Sequence, residues 1–156
     1  MALNIVLYQP EIPPNTGTIA RSCAITATKL HLIKPLGFSI DDKAVKRAGL
    51  DYWHLVNLEV HESLEDFLEK YPTDKMFFAS TKAHKFYHQV EYTDDCFIMF
   101  GKETKGLPSL IHDKYKDQLI KIPMIQNEAA RSLNLSNSAN IILFEALRQL
   151  DFDGLI

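Results

Sequence analysis

Residues 122–150 read IPMIQNEAARSLNLSNSANIILFEALRQL, a polar segment followed by a segment with helical periodicity. Apolar side chains recur along its second half in two stripes. They are Ala139, Leu143, Ala146, Leu147 and Leu150 in one stripe, and Ile141 and Phe144 in the other. A helix that is apolar on most sides is buried or lies in a subunit interface. We therefore predict a packed C-terminal helix over 136–150.

The polar half, ARSLNLSNSA (130–139), is rich in small hydrogen-bonding side chains. A buried helix needs acceptors for the N–H groups of its first turn, and Ser136 or Asn137 can act as this cap. Arg131, Ser132 and Asn134 exceed that requirement. We interpret this surplus as part of a polar small-molecule pocket.

Five short apolar runs precede or separate the helical segments. They are LNIVLY (3–8), LHLIKP (30–35), MFFAST (76–81), CFIMFG (96–101) and LIKIPM (119–124). Such runs are typical of strands covered on both faces of a parallel sheet. Further helices are predicted at 15–28, 41–48, 63–70 and 107–114. The alternation indicates an α/β fold, a mostly parallel sheet flanked by helices, in a single domain over 1–156.

The composition narrows the class of protein. The chain has 156 residues, 46% of them hydrophobic, a net charge of −3 and two cysteines, Cys23 and Cys96. Two cysteines are too few for a disulfide framework or a cysteine metal site. No leader sequence follows Met1, and no apolar run reaches the roughly 18 residues of a membrane helix. We expect a cytoplasmic protein with no membrane segment.

Ligands of parallel α/β sheets bind beyond the carboxyl ends of the strands. The loop after the first strand leads into NTGTIAR (15–21), where Asn15 is predicted as a helix N-cap. The packing stripe of that helix is predicted as Ala20, Cys23, Ala24 and Ala27. Gly17 and Arg21 share another face, which suits a phosphate or sugar hydroxyl beside a fixed cation, although an ordinary surface arginine fits the spacing equally well.

The loop after the fourth run reads GKETKGLPSL (101–110). Gly101 allows a ligand to approach the backbone, Gly106 suits a turn with positive φ, and Pro108 fits the first turn of a short helix. The loop is neither a phosphate-binding P-loop nor a dinucleotide fingerprint. Glu103 is predicted to accept hydrogen bonds from a ligand or from the loop backbone, and a solvated carboxylate is the alternative.

Together, NTGTIAR (15–21), FGKETKGLP (100–108) and IPM…RSLNLSNS (122–138) resemble, in order, the three signature motifs of SPOUT RNA methyltransferases. The whole chain is similar to the TrmL-type (YibK-like) subfamily, the tRNA wobble-nucleotide 2′-O-methyltransferases. The resemblance implies a C-terminal trefoil knot, S-adenosyl-L-methionine as cofactor, the tRNA anticodon loop as partner and a homodimer. It implies no metal, and His84 and His88 lack an evident third ligand.

The resemblance also implies site residues. The cofactor contacts are Ala79, Ser80, Gly101, Glu103, Ile122, Met124, Ser132, Leu133 and Ser136. The catalytic residues are Asn15 and Arg21, with Arg21 acting as a base or as a phosphate anchor. Phe144 stands where several relatives have tyrosine, so a hydroxyl is missing there.

An acidic chain can bind RNA if a dimer pools its basic loops. The candidate residues are Lys43, Lys46, Arg47, Lys82, Lys85, Lys102 and Lys105, although each group also fits a solvated face. Two alternatives stay open: methylation of another tRNA or rRNA site, and a cofactor-binding RNA-assembly factor without turnover.

Overall fold

A computed structural model of the chain describes residues 2–40, 43, 50–127, 129 and 133–156. Within these residues, seven strands form one sheet in which every pair of neighbouring strands is parallel. They are β1 (Asn4–Tyr8), β2 (Lys29–Ile33), β3 (Leu58–His61), β4 (Met76–Ala79), β5 (Lys85–Phe86), β6 (Phe97–Phe100) and β7 (Leu119–Lys121). Their order across the sheet is β3-β2-β1-β6-β4-β7-β5.

Helices pack on both faces of this sheet. The α-helices are α1 (Pro13–Ile25), α2 (Leu64–Lys70), α3 (Ser109–Lys114) and α4 (Leu135–Gln149), and short 3₁₀ helices cover Leu50–Leu55, Thr73–Lys75 and Lys116–Gln118. Among the described residues, no helix has the length and apolar character needed to cross a membrane.

Side chains that alternate along β1 enter two separate cores. Ile5 and Leu7 pack with residues of α1 and α4 on one face, whereas Val6 packs with Phe67 of α2 and Ile111 of α3 on the other. This arrangement explains the near-continuous apolar runs, because both faces of each central strand are covered. The mostly parallel α/β fold predicted from the sequence is confirmed.

The predicted elements agree with the structure with a few corrections. All five predicted strands are present, but β3 and β5 were not predicted. The helix predicted over 41–48 lies outside the described residues apart from Lys43, which is exposed. The prediction that Ala27 belongs to the packing stripe of α1 is wrong. The helix ends at Ile25, and Ala27 is exposed with a φ of 54°.

The strand order brings distant loops to one edge of the sheet. β6 lies between β1 and β4, and β7 lies between β4 and β5. Because all the strands are parallel, the loops that follow β1, β4, β6 and β7 begin at the same edge. These loops contain the three motifs found in the sequence.

Candidate functional site

The N-terminus of α1 is held by a carboxylate from a distant loop. Glu103 Oε1 accepts a hydrogen bond from the N–H of Glu11 (2.9 Å), and its Oε2 accepts one from the N–H of Ile12 (2.8 Å). A negative charge at this position also interacts favourably with the helix dipole. The prediction that Asn15 is the N-cap is therefore wrong: α1 begins at Pro13, and Asn15 lies inside its first turn.

The loop around Glu103 is tied to the same segment in the opposite direction. Glu11 Oε1 accepts hydrogen bonds from the backbone N–H (3.0 Å) and the Oγ1 hydroxyl (2.7 Å) of Thr104. These bonds from Thr104 lower the pKa of the Glu11 carboxyl. We call this reciprocal arrangement of Glu11, Ile12, Glu103 and Thr104 the carboxylate clasp. It fixes the loop after β6 against the loop after β1.

A chain of side chains, Glu103, Asn15 and Asn134, joins all three motifs, and we call it the polar chain. Asn15 Nδ2 donates to Glu103 Oε2 (3.3 Å), and Asn15 Oδ1 accepts from Asn134 Nδ2 (3.0 Å). Because a carboxylate only accepts hydrogen bonds, the amide nitrogen of Asn15 must face Glu103. The side chain of Asn15 is thus held at both ends and is almost fully buried.

Asn134 also caps the C-terminal helix. Its Oδ1 accepts hydrogen bonds from the N–H of Asn137 (2.9 Å) and from the hydroxyl of Ser136 (2.8 Å). The prediction of Ser136 or Asn137 as the cap is therefore wrong, because α4 begins at Leu135 and places Asn134 in the N-cap position. The cap and the polar chain use opposite ends of one amide.

The two glycines of the second motif serve the loop itself. Gly106 has a φ of +68°, which confirms the predicted turn. A Cβ atom at Gly101 would lie 2.2 Å from the carbonyl carbon of Gly106 and 2.4 Å from the nitrogen of Leu107. Glycine is needed at position 101 because the loop folds back over the end of β6.

A cavity of about 360 Å³ opens beside the end of β7. Its lining residues are Thr81, Phe86, Lys121, Ile122, Pro123, Met124 and Ile125. This volume is at the lower end of the range for small-molecule sites, about 300–1,000 Å³. Two of the predicted cofactor contacts, Ile122 and Met124, therefore line one cavity.

The other predicted cofactor residues lie around this edge of the sheet. Ala79 ends β4, and the N–H of Ser80 donates to the carbonyl of Ile120 in β7 (2.9 Å). Leu133, two residues before α4, is 40% exposed, and Ser136 is buried in the first turn of that helix. Ser132 lies outside the described residues.

Arg21 is exposed on α1, one turn after the buried Gly17. The cavity lining within the described residues does not include Arg21. The structure therefore places Arg21 on the helix of the first motif, whose N-terminus the clasp fixes, and outside the cavity wall.

Sequence reasoning did not single out several residues of this edge as site residues. Phe86 lines the cavity, Glu11 and Thr104 form half of the clasp, and His112 of α3 contacts Ser80. The acidic Glu11, two residues before the Pro-Pro start of α1, was the one usable signal. Phe86 and His112 lie in segments of ordinary composition.

A second polar cluster lies between β2 and β3, away from this edge. His31 Nε2 is 2.9 Å from Asn4 Oδ1, and His31 Nδ1 is 3.0 Å from His61 Nε2. The amide nitrogen of Asn4 donates to the carbonyls of Ala2 and Cys96, so its oxygen faces His31. In the neutral imidazole, His31 therefore carries its proton on Nε2 and accepts at Nδ1.

This cluster contains a potential set of metal ligands. Glu59 Oε2 lies 3.4 Å from His31 Nδ1 and 3.7 Å from His61 Nε2. However, the same carboxylate binds the ammonium groups of Lys29 and Lys70. A divalent cation would join two positive charges there, and like charges at this range repel strongly. The described residues thus favour a neutralised hydrogen-bond network over a metal centre.

The network shifts the protonation of its members. Burial, with repulsion from His61 and Lys29, lowers the pKa of His31 to about 3. Burial alone would raise the pKa of Glu59, but hydrogen bonds from Lys70, Tyr71 and Lys29 outweigh it and lower the pKa to about 2. The histidine pair is thus neutral and the carboxylate charged near neutral pH.

Comparisons with known proteins show the family of the chain. Residues 2–144 match the SpoU rRNA Methylase family, and the chain belongs to that family. The tRNA (cytidine(34)-2′-O)-methyltransferase of Methylovorus glucosotrophus is 49% identical over 98% of this chain and 99% of its own length. The enzyme of the same name from Escherichia coli K12 is 46% identical over 99% and 98%.

Solved structures share the fold. One described as "Structural insights into the 2-OH methylation of C/U34 on tRNA" superposes with a TM-score of 0.88 at 39% identity, over 96% of this chain and 97% of that one. The SpoU methyltransferase AviRb from Streptomyces viridochromogenes, solved with the cofactor AdoMet, has a TM-score of 0.82 at 23% identity, over 96% and 58%.

The polar chain generates a first prediction. Asn15→Asp replaces the amide donor by a carboxylate that faces Glu103, so the structure loses a hydrogen bond and gains a like-charge contact. We expect the free energy of unfolding to fall by about 1–3 kcal/mol, measured by denaturant unfolding at fixed protein concentration. Asn137→Asp is the matched control, because it adds the same charge at an exposed position in the first turn of α4. Equal stability of the two variants would contradict the buried contact.

The histidine cluster generates a second prediction. A histidine in the unfolded chain has a pKa of about 6.5, whereas the pKa of His31 in the folded protein is about 3. Between these two pH values, the unfolded state binds a proton at His31 and the folded state does not. The free energy of unfolding should therefore fall as the pH drops from 6.5, by about 2 kcal/mol at pH 5 from His31 alone. His31→Gln, which keeps a donor and an acceptor without titrating, should reduce this fall. His54→Gln, at an exposed position, should leave it unchanged. Identical pH slopes in wild type and His31→Gln would refute the assignment.

Proposed function

We propose that this protein transfers a methyl group from S-adenosyl-L-methionine to the ribose 2′-hydroxyl of the wobble nucleotide, position 34, in the anticodon loop of tRNA. Full-length relatives with this activity in their names support the substrate. The observation that carries the proposal is the polar chain, because its hydrogen bonds join the three motifs to one another. Since tRNA is the substrate, we expect the enzyme to act in the cytoplasm.

The residues around the cavity suit the cofactor. Ile122 and Met124 give an apolar wall for the adenine ring, and we assign further cofactor contacts to Ala79, Ser80 and Gly101 at the ends of β4 and β6. Leu133 and Ser136 border the same edge, and Ser132 is proposed from the motif alone. Bound there, the cofactor supplies an electrophilic sulfonium methyl group. For Glu103, the clasp already engages both carboxylate oxygens, so a cofactor contact would involve its backbone.

Arg21 is the residue we assign to the substrate. It is exposed on the helix whose N-terminus the clasp fixes, so an RNA phosphate can reach its planar guanidinium group. Arginine stays protonated in water near neutral pH, which favours anchoring of the phosphate and polarisation of the hydroxyl over removal of a proton. We infer that Asn15 contributes by positioning this helix, since both ends of its amide bind other side chains.

We further propose a homodimer that pools basic loops for tRNA. On α4, Ile141 and Phe144 are 37% and 43% exposed, while the opposite stripe of the helix is buried. Ile25, near the end of α1, is 59% exposed. An apolar face of this kind on adjacent helices fits a twofold interface. Lys82 and Lys105 are exposed on loops and Lys85 is exposed in β5, whereas Lys46 and Arg47 lie outside the described residues.

We also propose that the C-terminal segment is threaded into a trefoil knot. The supporting observation is that β7 lies between β4 and β5, two strands that precede it in the chain. The segment after β7 then returns to α4, which packs against α1. Open α/β sheets normally avoid such threading, so this topology would be one of the rare exceptions.

The substrate is tested directly. Purified protein is incubated with labelled S-adenosylmethionine and either total tRNA or ribosomal RNA, and the modified nucleosides are mapped. Label at position 34 of tRNA is expected. If only ribosomal RNA is labelled, the proposed substrate is wrong and ribosomal RNA takes its place. Cofactor binding without transfer to either RNA would favour the assembly-factor alternative.

Arg21→Ala separates substrate chemistry from cofactor binding. We expect methyl transfer to tRNA to fall by about 10²-fold or more, the usual scale for a lost proton-transfer or polarising group, with cofactor affinity within a few-fold of wild type. Arg21→Lys should also be slow, because lysine lacks the planar fork. Arg148→Ala is the matched control, since Arg148 pairs with Glu145 near the far end of α4. Full activity of Arg21→Ala would refute the role, and lost cofactor binding would move Arg21 to the pocket.

Phe144→Asp tests the dimer. Burial of a phenylalanine side chain contributes about 1.5–3 kcal/mol, and a twofold interface contains two copies. We expect monomers by light scattering. Phe152→Asp is the matched control, because Phe152 has the same 43% exposure but lies beyond the end of α4. A dimer that survives Phe144→Asp would place the interface elsewhere.

A further inference from the structure

His112 of α3 forms a hydrogen bond with the residue that follows β4. Its Nε2 lies 2.7 Å from Ser80 Oγ, and its Nδ1 lies 3.3 Å from the carbonyl oxygen of Pro108. A carbonyl can only accept, so the neutral imidazole carries its proton on Nδ1 and accepts at Nε2. The hydroxyl of Ser80 is therefore the donor, and its hydrogen points at His112.

Ser80 opens a tight turn in the cavity wall. The N–H of Ala83 donates to the carbonyl of Ser80 (3.1 Å), and the N–H of Lys82 donates to Ser80 Oγ (3.2 Å). A serine hydroxyl that bonds the backbone two residues on is a recurrent device for fixing turns. Thr81, the second residue of this turn, lines the cavity together with Ile122 and Met124.

The hydrogen bond to His112 selects one rotamer of Ser80. With its hydrogen given to Nε2, the hydroxyl oxygen presents a lone pair to the N–H of Lys82, so both bonds form together. Without an acceptor at Nε2, the hydroxyl is free to rotate and the turn loses a restraint. His112 therefore connects the helix after the second motif to the cavity wall.

A nucleophilic role for Ser80 is less consistent with these contacts. A serine–histidine pair used in hydrolysis has a third group, commonly a carboxylate, behind the histidine. Here that position holds the neutral carbonyl of Pro108. Ser80 Oγ also receives a hydrogen bond from Lys82, which withdraws electron density from the oxygen.

We propose that His112 is a positioning residue for cofactor binding: by accepting the hydrogen bond of Ser80, it holds the Ser80–Ala83 turn in the shape that completes the cofactor cavity. The inference rests on the proposed function, because it assumes that the cavity beside Ile122 and Met124 takes S-adenosylmethionine. It assigns a role to a histidine outside the three motifs. It also predicts that His112 affects cofactor affinity and leaves the transfer step itself unchanged.

The test measures the Kd of S-adenosylmethionine by calorimetry without RNA, together with KM and kcat on tRNA. His112→Leu removes the acceptor and should raise Kd and KM for the cofactor about 5- to 10-fold, the scale of one hydrogen bond, with kcat within twofold. His112→Gln, whose amide oxygen can accept from Ser80, should restore the affinity to within about twofold. His54→Leu, at an exposed position far along the chain, is the control and should leave Kd unchanged.

A double-mutant cycle separates positioning from a general structural effect. Ser80→Ala, which leaves α3 intact, should raise Kd by a similar factor. If His112 acts through Ser80, the double variant Ser80→Ala/His112→Leu should bind no more weakly than Ser80→Ala alone. If the Kd increases of the two single variants multiply in the double variant, or if His112→Leu binds the cofactor like wild type, the inference is overturned while the proposed function stays intact. A wild-type protein that fails to bind the cofactor would refute the proposed cavity and this inference together.

Discussion

One carboxylate holds the functional edge of this molecule together. The two oxygens of Glu103 receive hydrogen bonds from the N–H groups of Glu11 and Ile12 and from the amide of Asn15. Because a carboxylate only accepts, it dictates which end of the Asn15 amide faces Asn134. Asn134 donates to Asn15 through its amide nitrogen and caps α4 with its amide oxygen. A single negative charge thus determines the relative positions of a helix start, a glycine loop and the C-terminal helix.

The sequence predicts much of the fold because the sheet is buried on both faces. An apolar run such as CFIMFG fits either a strand covered on both faces or a buried helix, and its short length favours the strand. β5 was missed because two residues carry no periodicity. β3 was missed because LEVH is short and only half-buried.

Local patterns were less reliable at the helix ends. Pro-Pro-Asn is a reasonable start signal, yet the two N–H groups just before α1, those of Glu11 and Ile12, bind Glu103, which lies 92 and 91 positions away along the chain. No local rule can detect a contact over that separation. The motifs indicated the loops that follow β1, β6 and β7, whereas Phe86 and His112 come near this edge of the sheet only through the three-dimensional arrangement of the strands and α3. Phe86 and His112 can be recognised as neighbours of this edge only when the positions of β5 and α3 are known.

The strand order has a consequence for how the chain reaches its native state. Asn4 of β1 pairs with Phe97 of β6, and β7 is inserted between two strands that come before it in sequence. Closing such long loops costs entropy before the long-range contacts can stabilise the structure. Sheets built from distant segments therefore fold slowly. The bonds of Asn15 span 88 and 119 positions along the chain. We therefore expect the edge of the sheet that holds Glu103, Asn15 and Asn134 to be among the last parts to form during refolding, after the hydrophobic cores.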